Sequence, residues 1–433
     1  MTTALYPAIA YRRAYAASPR SWPASLVRGL LFLSLFSIIF LPEFVRDGET
    51  SIVYTKAVGG FRFVDLAILF LAFSHFLASG CLRRRIFRFP PTAVFPGLGF
   101  LVCVSVAVWY GHRRGGSNFF FDWRGLALGV GLYFVWASWL GSAADVSSVI
   151  RLFAVYMAAR VALLYILYGA GYRENLLGVA IPIFDGPVLS CTVFAALLAF
   201  SCAEHAPGSI EKLLWGGLAL ATYLIVLMCF RRTYWGELGI GTLLLLWLQK
   251  RHRVRNVLII TGIVAVAACI LGASFSSRVQ SLDVTRDDSE FSADNADHLH
   301  DLMDAWYQVQ QSPVMGIGVG TSYSTWHIRS WKTESVMVHN APLHVWLKYG
   351  IAGLLFYLWF HFALLRWLFG RAKSRTLAQP GFFAASFAYL TAQFVITLTF
   401  APWPYSELQL TTLTSFILAA AVAADQPLPS GRQ

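Results

Sequence analysis

Apolar residues run along this chain in long blocks broken by short polar stretches, with little one-in, one-out alternation. The blocks fall near residues 26–43, 63–81, 91–109, 125–141, 150–169, 182–203, 212–230, 235–249, 257–273, 341–365, 381–400 and 408–424. Most approach the roughly 20 residues with which a helix crosses a hydrocarbon core about 30 Å thick. A membrane barrel would show alternating segments of about ten residues instead, and none dominate. The pattern predicts an all-α, polytopic integral membrane protein of about 12 transmembrane helices.

One interruption is much longer than the rest. Residues 273–340 are polar and carry four basic against nine acidic side chains, net −5. They form a predicted extramembrane loop between the ninth and tenth spans. Within it Leu299, Leu302, Met303, Trp306 and Val309 recur at helical spacing, which predicts an amphipathic helix over His298–Gln311. Its apolar stripe would lie on the membrane interface or on the bundle. Pro313 ends that helix, and the glycines after Met315 make a turn. The expected organisation is a cytoplasmic segment 1–25, spans one to nine over 26–272, the loop 273–340, spans ten to twelve over 341–424, and a cytoplasmic tail 425–433.

Composition sharpens this picture. The chain of 433 residues is 57% hydrophobic and 13% charged, against about 25% charged in soluble domains. Its net charge of +12 would suit nucleic acid, but placement argues otherwise. Basic residues bunch at Arg83, Arg84, Arg85 and Arg88, at Lys250, Arg251, Arg253 and Arg255, and at Arg366, Arg371, Lys373 and Arg375. The positive-inside rule reads such clusters as cytoplasmic. Twelve crossings from a cytoplasmic N-terminus put all three clusters inside and the acidic loop outside. No nucleic-acid partner is expected. The six cysteines lie in or beside apolar runs, so no disulfide framework is implied. The first apolar run lacks a small-residue cleavage site after it and reads as an uncleaved span.

Candidate chemistry gathers where the loop meets the tenth span, in His339 to Gly353, HNAPLHVWLKYGIAG. A histidine takes a proton near neutral pH with little tuning, so His339 suits general-base work on a hydroxyl. Asn340 either orients a substrate or caps the following helix, with Pro342 close behind. Arg231 and Arg232, at the outer end of the seventh span, suit two-pronged binding of a diphosphate; interfacial anchoring is the plainer alternative. Arg160 sits in mid-span, where a charge faces a cavity or a partner. Asp65, Asp185 and Glu237 are candidate counter-ions, and Arg173 in the next outer loop could join a positive pocket. His298 and His300 lie two apart on a helix and cannot readily share a metal ion, so no metal site is expected. Gly316 and Gly318, in GIGVG, lack dinucleotide-binding spacing. They form either a loop offering N–H groups to phosphate or sugar, or a plain turn.

In this order and spacing, the motifs resemble the O-antigen ligase and polymerase superfamily of bacterial envelope glycan assembly. The matching elements are Arg231 and Arg232 after a mid-chain span, an amphipathic helix leading to Pro313, Gly316 and Gly318 as P-x-x-G-x-G, then His339-Asn340 before Gly350 and Gly353. The resemblance covers roughly Phe230 to Leu355. It implies an inner-membrane glycosyltransferase, active on the periplasmic face, that moves a glycan from undecaprenyl diphosphate to a sugar hydroxyl with inversion and without metal or cofactor. His339 would be the base, and Arg231 or Arg232 the diphosphate ligand. The implied partners are the lipid-linked donor, a saccharide acceptor (a lipid-linked repeat unit or lipid A-core), membrane lipids and a chain-length regulator. One departure stands out: His298 occupies the position, fifteen residues before Pro313, where relatives often carry Arg. Either His298 binds the donor when protonated, or Arg278 or Arg286 replaces it. That departure tilts the reading towards a polymerase of exopolysaccharide or O-antigen, with a lipid A-core ligase as the alternative. A lipid-linked glycan transporter is a remoter one, since no repeated halves are visible.

Overall fold

The computed structural model describes residues 56–58, 61–62, single positions at 66 and 70, and most of 89–425, with breaks of which the longest are 281–288, 326–333 and 399–407. Elements are numbered in chain order among these residues. The helices are α1 (Pro91–Arg113), α2 (Phe119–Trp139), α3 (Ala143–Gly169), α4 (Gly186–His205), α5 (Ser209–Met228) and α6 (Arg232–Leu248). They continue as α7 (Arg253–Gln280), α8 (Ser289–Gln311), α9 (Ala341–Ala372), α10 (Pro380–Thr397) and α11 (Leu408–Ala424). Three short antiparallel strand pairs accompany them: β1 (Lys56–Val58) with β2 (Phe61–Arg62) before α1, β3 (Arg173–Leu176) with β4 (Val179–Pro182) between α3 and α4, and β5 (Tyr323–Ser324) with β6 (Glu334–Ser335) between α8 and α9.

The described helices other than α8 fall on the predicted apolar blocks from the third to the twelfth. The blocks 26–43 and 63–81 lie almost wholly outside the described residues. Six of the described helices are long and apolar enough to cross a membrane, namely α1, α3, α4, α5, α9 and α10. Helix ends differ from the hydropathy blocks by several residues, because polar terminal turns continue the helix beyond the apolar stretch. Thus α7 runs to Gln280 and α9 to Ala372.

Two helices form the centre. In α4 and α10, 78% of the most apolar window is buried, against 22% in α9 and 28% in α1. A helix apolar all round can be buried all round, and both central helices carry small residues that let neighbours approach. Ala195, Ala196 and Ala199 of α4 and Ala384, Ala385, Ala388 and Ala392 of α10 are all buried. Such residues replace the hydrophobic drive that lipid cannot supply. The same closeness recurs at Gly241 of α6, where an added Cβ would lie 2.5 Å from Leu197 of α4. Around this core α4 packs on α5, α6 and α10, α11 packs on α2, and α9 packs on α1 and α10. α8 lies outside the bundle and packs on α9.

The two ends of the bundle differ in charge. At one end the tips of α4, α6, α7, α9 and α11 meet. Arg255 pairs with Glu204, Arg371 with Asp425 at 2.7 Å, and Lys373 lies over Trp247 and Phe369. These are members of the basic clusters seen in the sequence. The opposite end carries α8, the glycine loop and the candidate site.

Candidate functional site

The site is framed by a break in α9. An unbroken helix of 32 residues would be about 48 Å long, far more than a bilayer core requires. At Gly350 the backbone leaves the helix, with φ 72° and ψ −179°, in the left-handed region that only glycine enters freely. The break separates the Leu347 carbonyl from its usual donor, the Ile351 N–H. Both groups find partners in the loop after α8: the Ile317 N–H donates to Leu347 O at 2.7 Å, and the Ile351 N–H donates to Pro313 O at 3.1 Å. Non-helical backbone at this depth is tolerable because the loop completes its hydrogen bonds.

Glycine makes that approach possible. A Cβ on Gly350 would fall 1.9 Å from Val314 O, and one on Gly316 would fall 2.4 Å from Leu347 O. Gly318 lies as tightly against α1, 2.6 Å from Gly111 Cα by the same construction, while the Val319 N–H donates to Ala107 O at 3.0 Å. Gly316 and Gly318 are both buried. The P-x-x-G-x-G phrase and the glycine of α9 are thus two halves of one clamp that locks the loop to α1 and α9.

Directly after the loop, His339 and Asn340 lead into α9. The Asn340 side chain caps the helix, its Oδ1 accepting from the Leu343 N–H at 2.9 Å, while its Nδ2 donates to Leu398 O at 2.7 Å at the end of α10. The capping role foreseen for Asn340 is therefore present. His339 is held by Asp301 of α8. Asp301 Oδ2 lies 3.2 Å from both the backbone nitrogen and the ring Nδ1 of His339. The other oxygen, Oδ1, accepts from the Tyr323 hydroxyl. The Asp301 side chain is 0% exposed and that of His339 33% exposed. Burial raises the Asp301 carboxyl, but hydrogen bonds from the His339 ring, the Tyr323 hydroxyl and the His339 backbone outweigh it and hold it below its ordinary value. Burial, then the adjacent Asp301 charge, pushes the Tyr323 phenol well up, so it remains a donor. A charged carboxylate facing Nδ1 requires the ring to carry hydrogen there.

The sequence reading did not assign Asp301 or Tyr323 to the site, although one signal was available. Asp301 stands four and eight residues before Ala305 and Val309, which are buried with it. An acid on the apolar face of a helix demands a partner. The expected stripe divides accordingly. Asp301, Ala305 and Val309, with half-buried Leu302, face α9, whereas Leu299, Met303 and Trp306 are exposed.

Arg231 is the N-cap of α6 and Arg232 its first residue, and both are half-buried. One turn on, Gly236 packs against Ile396 of α10, two residues before the Leu398 carbonyl that Asn340 grips. The end of α10 thus joins the two arginines to His339 at the same end of the bundle. Arg160 is buried within α3. Of its candidate counter-ions, Asp65 and Asp185 lie outside the described residues. Glu237, buried in α6, accepts from the Ser190 hydroxyl at 2.8 and 2.9 Å, and Ser190 is 3.0 Å from the Tyr389 hydroxyl. Arg173 opens β3, and His298 lies on α8 three residues before Asp301. Of the alternative donor ligands, Arg286 lies outside the described residues and Arg278 is near the end of α7. Among the described residues no group of three or more His, Cys, Asp or Glu side chains could hold a metal ion.

A multi-pass helical bundle, with the segment after α8 clamped onto a broken helix beside a partly exposed histidine, defines the class: a helical membrane protein. Residues 217–358 match the family model described as O-Antigen ligase, so this segment of the chain is similar to that family. The matched segment runs from α5 into α9 and contains Arg231, Arg232, Asp301, the glycine clamp and His339. It leaves out Arg160 and Arg173. No curated protein matches the chain.

Proposed function

We propose that this protein is an inner-membrane glycosyltransferase that transfers a glycan from undecaprenyl diphosphate to a sugar hydroxyl on the periplasmic face, polymerising exopolysaccharide or O-antigen repeat units. The observation that carries this reading is the placement of Arg231, Arg232 and the partly exposed His339 ring at the end of the bundle opposite Arg255, Arg371 and Lys373, within the matched segment. By the positive-inside rule that end faces outward.

In the transfer, His339 Nε2 takes the proton from the acceptor hydroxyl as its oxygen attacks the anomeric carbon. The bond from that carbon to the diphosphate oxygen breaks, and the lipid diphosphate leaves with the electron pair. Two guanidiniums meet the developing negative charge, a task a metal ion performs elsewhere. Attack opposite the leaving group inverts the anomeric centre.

The description of the matching family favours a second reading, in which the acceptor is lipid A-core. The two are separated by giving the purified protein in lipid nanodiscs an undecaprenyl-diphosphate oligosaccharide, with and without lipid A-core. A ladder of lengthening glycan without added acceptor marks a polymerase. Product formed only with lipid A-core marks a ligase, and no product under either condition contradicts both.

A further inference from the structure

We propose that Asp301 is the positioning residue of this site: its carboxylate fixes His339 in the tautomer that carries hydrogen on Nδ1 and leaves Nε2 as the proton acceptor. The proposal rests on His339 being the base and adds the group that makes one nitrogen of the ring basic at the exposed edge.

The geometry carries it. A single oxygen, Asp301 Oδ2, takes hydrogen bonds from two parts of the same residue, the backbone N–H and the ring Nδ1–H of His339, each at 3.2 Å. That double grip fixes both where His339 sits and how its ring is turned. The second oxygen is held by the Tyr323 hydroxyl of β5, so the carboxylate cannot rotate without breaking both contacts. Asp301 is wholly buried while a third of the His339 side chain stays exposed, so the pair has an inner, anchored end and an outer, reacting end. A carboxylate placed behind an imidazole does three things: it selects the tautomer, holds the ring, and stabilises the imidazolium formed when the proton arrives.

Position in the chain adds a consequence. Asp301 belongs to α8 and Tyr323 to the loop hairpin, whereas His339 leads into α9. The base is therefore correctly turned only when the extramembrane loop is docked. The glycine clamp at Gly316 and Gly350 is what docks it. The acid's burial also has a purely structural explanation, a pin between α8 and the start of α9, and the two roles differ in what they change.

The test uses the full-length protein in nanodiscs with undecaprenyl-diphosphate oligosaccharide as donor, and 15N-labelled histidine to read ring tautomers, with His339→Ala identifying the His339 signals. In the wild-type protein the neutral His339 ring carries its hydrogen on Nδ1. In Asp301→Asn the Nε2–H form appears, and turnover falls on the order of 10²-fold with donor KM changed by less than about twofold. Asp301→Glu restores part of the turnover. A wild-type ring with hydrogen on Nε2 overturns the proposal without any variant having to fold. So does Asp301→Asn with unchanged turnover and tautomer, or with a donor KM that rises as turnover falls. The underlying reading fails differently: His339→Ala would keep its turnover, and Asp301 would then have no base to position.

Discussion

Asn340 joins two helices through one amide. It caps α9 and ties that cap to the end of α10. Loss of a side-chain N-cap costs about 1 kcal/mol, and the α10 contact adds to it. Asn340→Ala should therefore lower the thermal midpoint measurably in detergent; an unchanged midpoint would show that the cap contributes little. The arginines are expected to act on substrate instead. Removing a charge-assisted hydrogen bond costs about 1.5–3 kcal/mol, so Arg231→Ala or Arg232→Ala should lower donor kcat/KM roughly ten- to a hundredfold. If both variants keep normal turnover, the diphosphate is held elsewhere. At this scale the sequence was uneven. His339, Asn340 and the arginine pair were visible because each is a polar residue at a predicted membrane boundary. Asp301 was hidden among eight other acids of the loop, and only its register with Ala305 and Val309 set it apart. Tyr323 carries no local signal, because its role depends on a carboxylate 22 residues away.

Among the elements, α9 governs the site. Hydropathy reads it as one continuous span, and hydropathy is blind to backbone dihedrals, so the break at Gly350 was not legible as a break. What the sequence offered was a pair of glycine phrases, and the structure joins them. Gly350 gives up one helical hydrogen bond, and the loop returns both partners to full bonding. Gly350→Ala would meet both a left-handed φ and the Val314 carbonyl. The dihedral strain alone is of order 1–3 kcal/mol. The variant should therefore loosen the loop, seen as faster protease cleavage between α8 and α9 and loss of turnover. Cleavage and turnover at wild-type rates would mean that the clamp is dispensable. The amphipathic helix was foreseen from its period, but it begins at Ser289 rather than His298, because its first turns are polar and leave no periodic trace.

Across the whole molecule, the sequence conveyed the grouping of basic residues better than packing. Short basic clusters marked one end, and Arg255, Arg371 and Lys373 do gather there against the tips of α4, α6 and α11. The identity of the central helices was not legible, since α4 and α10 are no more apolar than α1. Their central position comes from small residues meeting across interfaces, which requires knowing the neighbours. Sidedness is directly testable in intact cells with a cysteine-free background. A cysteine at exposed Ser324, in the loop, should react with a membrane-impermeant maleimide from the periplasm. One at Ser374, beside the basic end, should react only after the inner membrane is opened. The reverse pattern would turn the molecule over and remove the site from the periplasm.

The central claim is that His339 accepts the proton in a transfer from a lipid diphosphate. It is tested most directly by reconstituting the wild-type and His339→Ala proteins with an undecaprenyl-diphosphate oligosaccharide in the presence of EDTA. His339→Ala also removes the ring's hydrogen bond to the buried Asp301, so turnover is compared per folded protein, with both proteins matched by size-exclusion profile. The wild type should extend or transfer the glycan despite the chelator, because Arg231 and Arg232 supply the positive charge. His339→Ala should lose turnover by at least about 10²-fold. Glycan transfer that survives His339→Ala at the wild-type rate would contradict the claim.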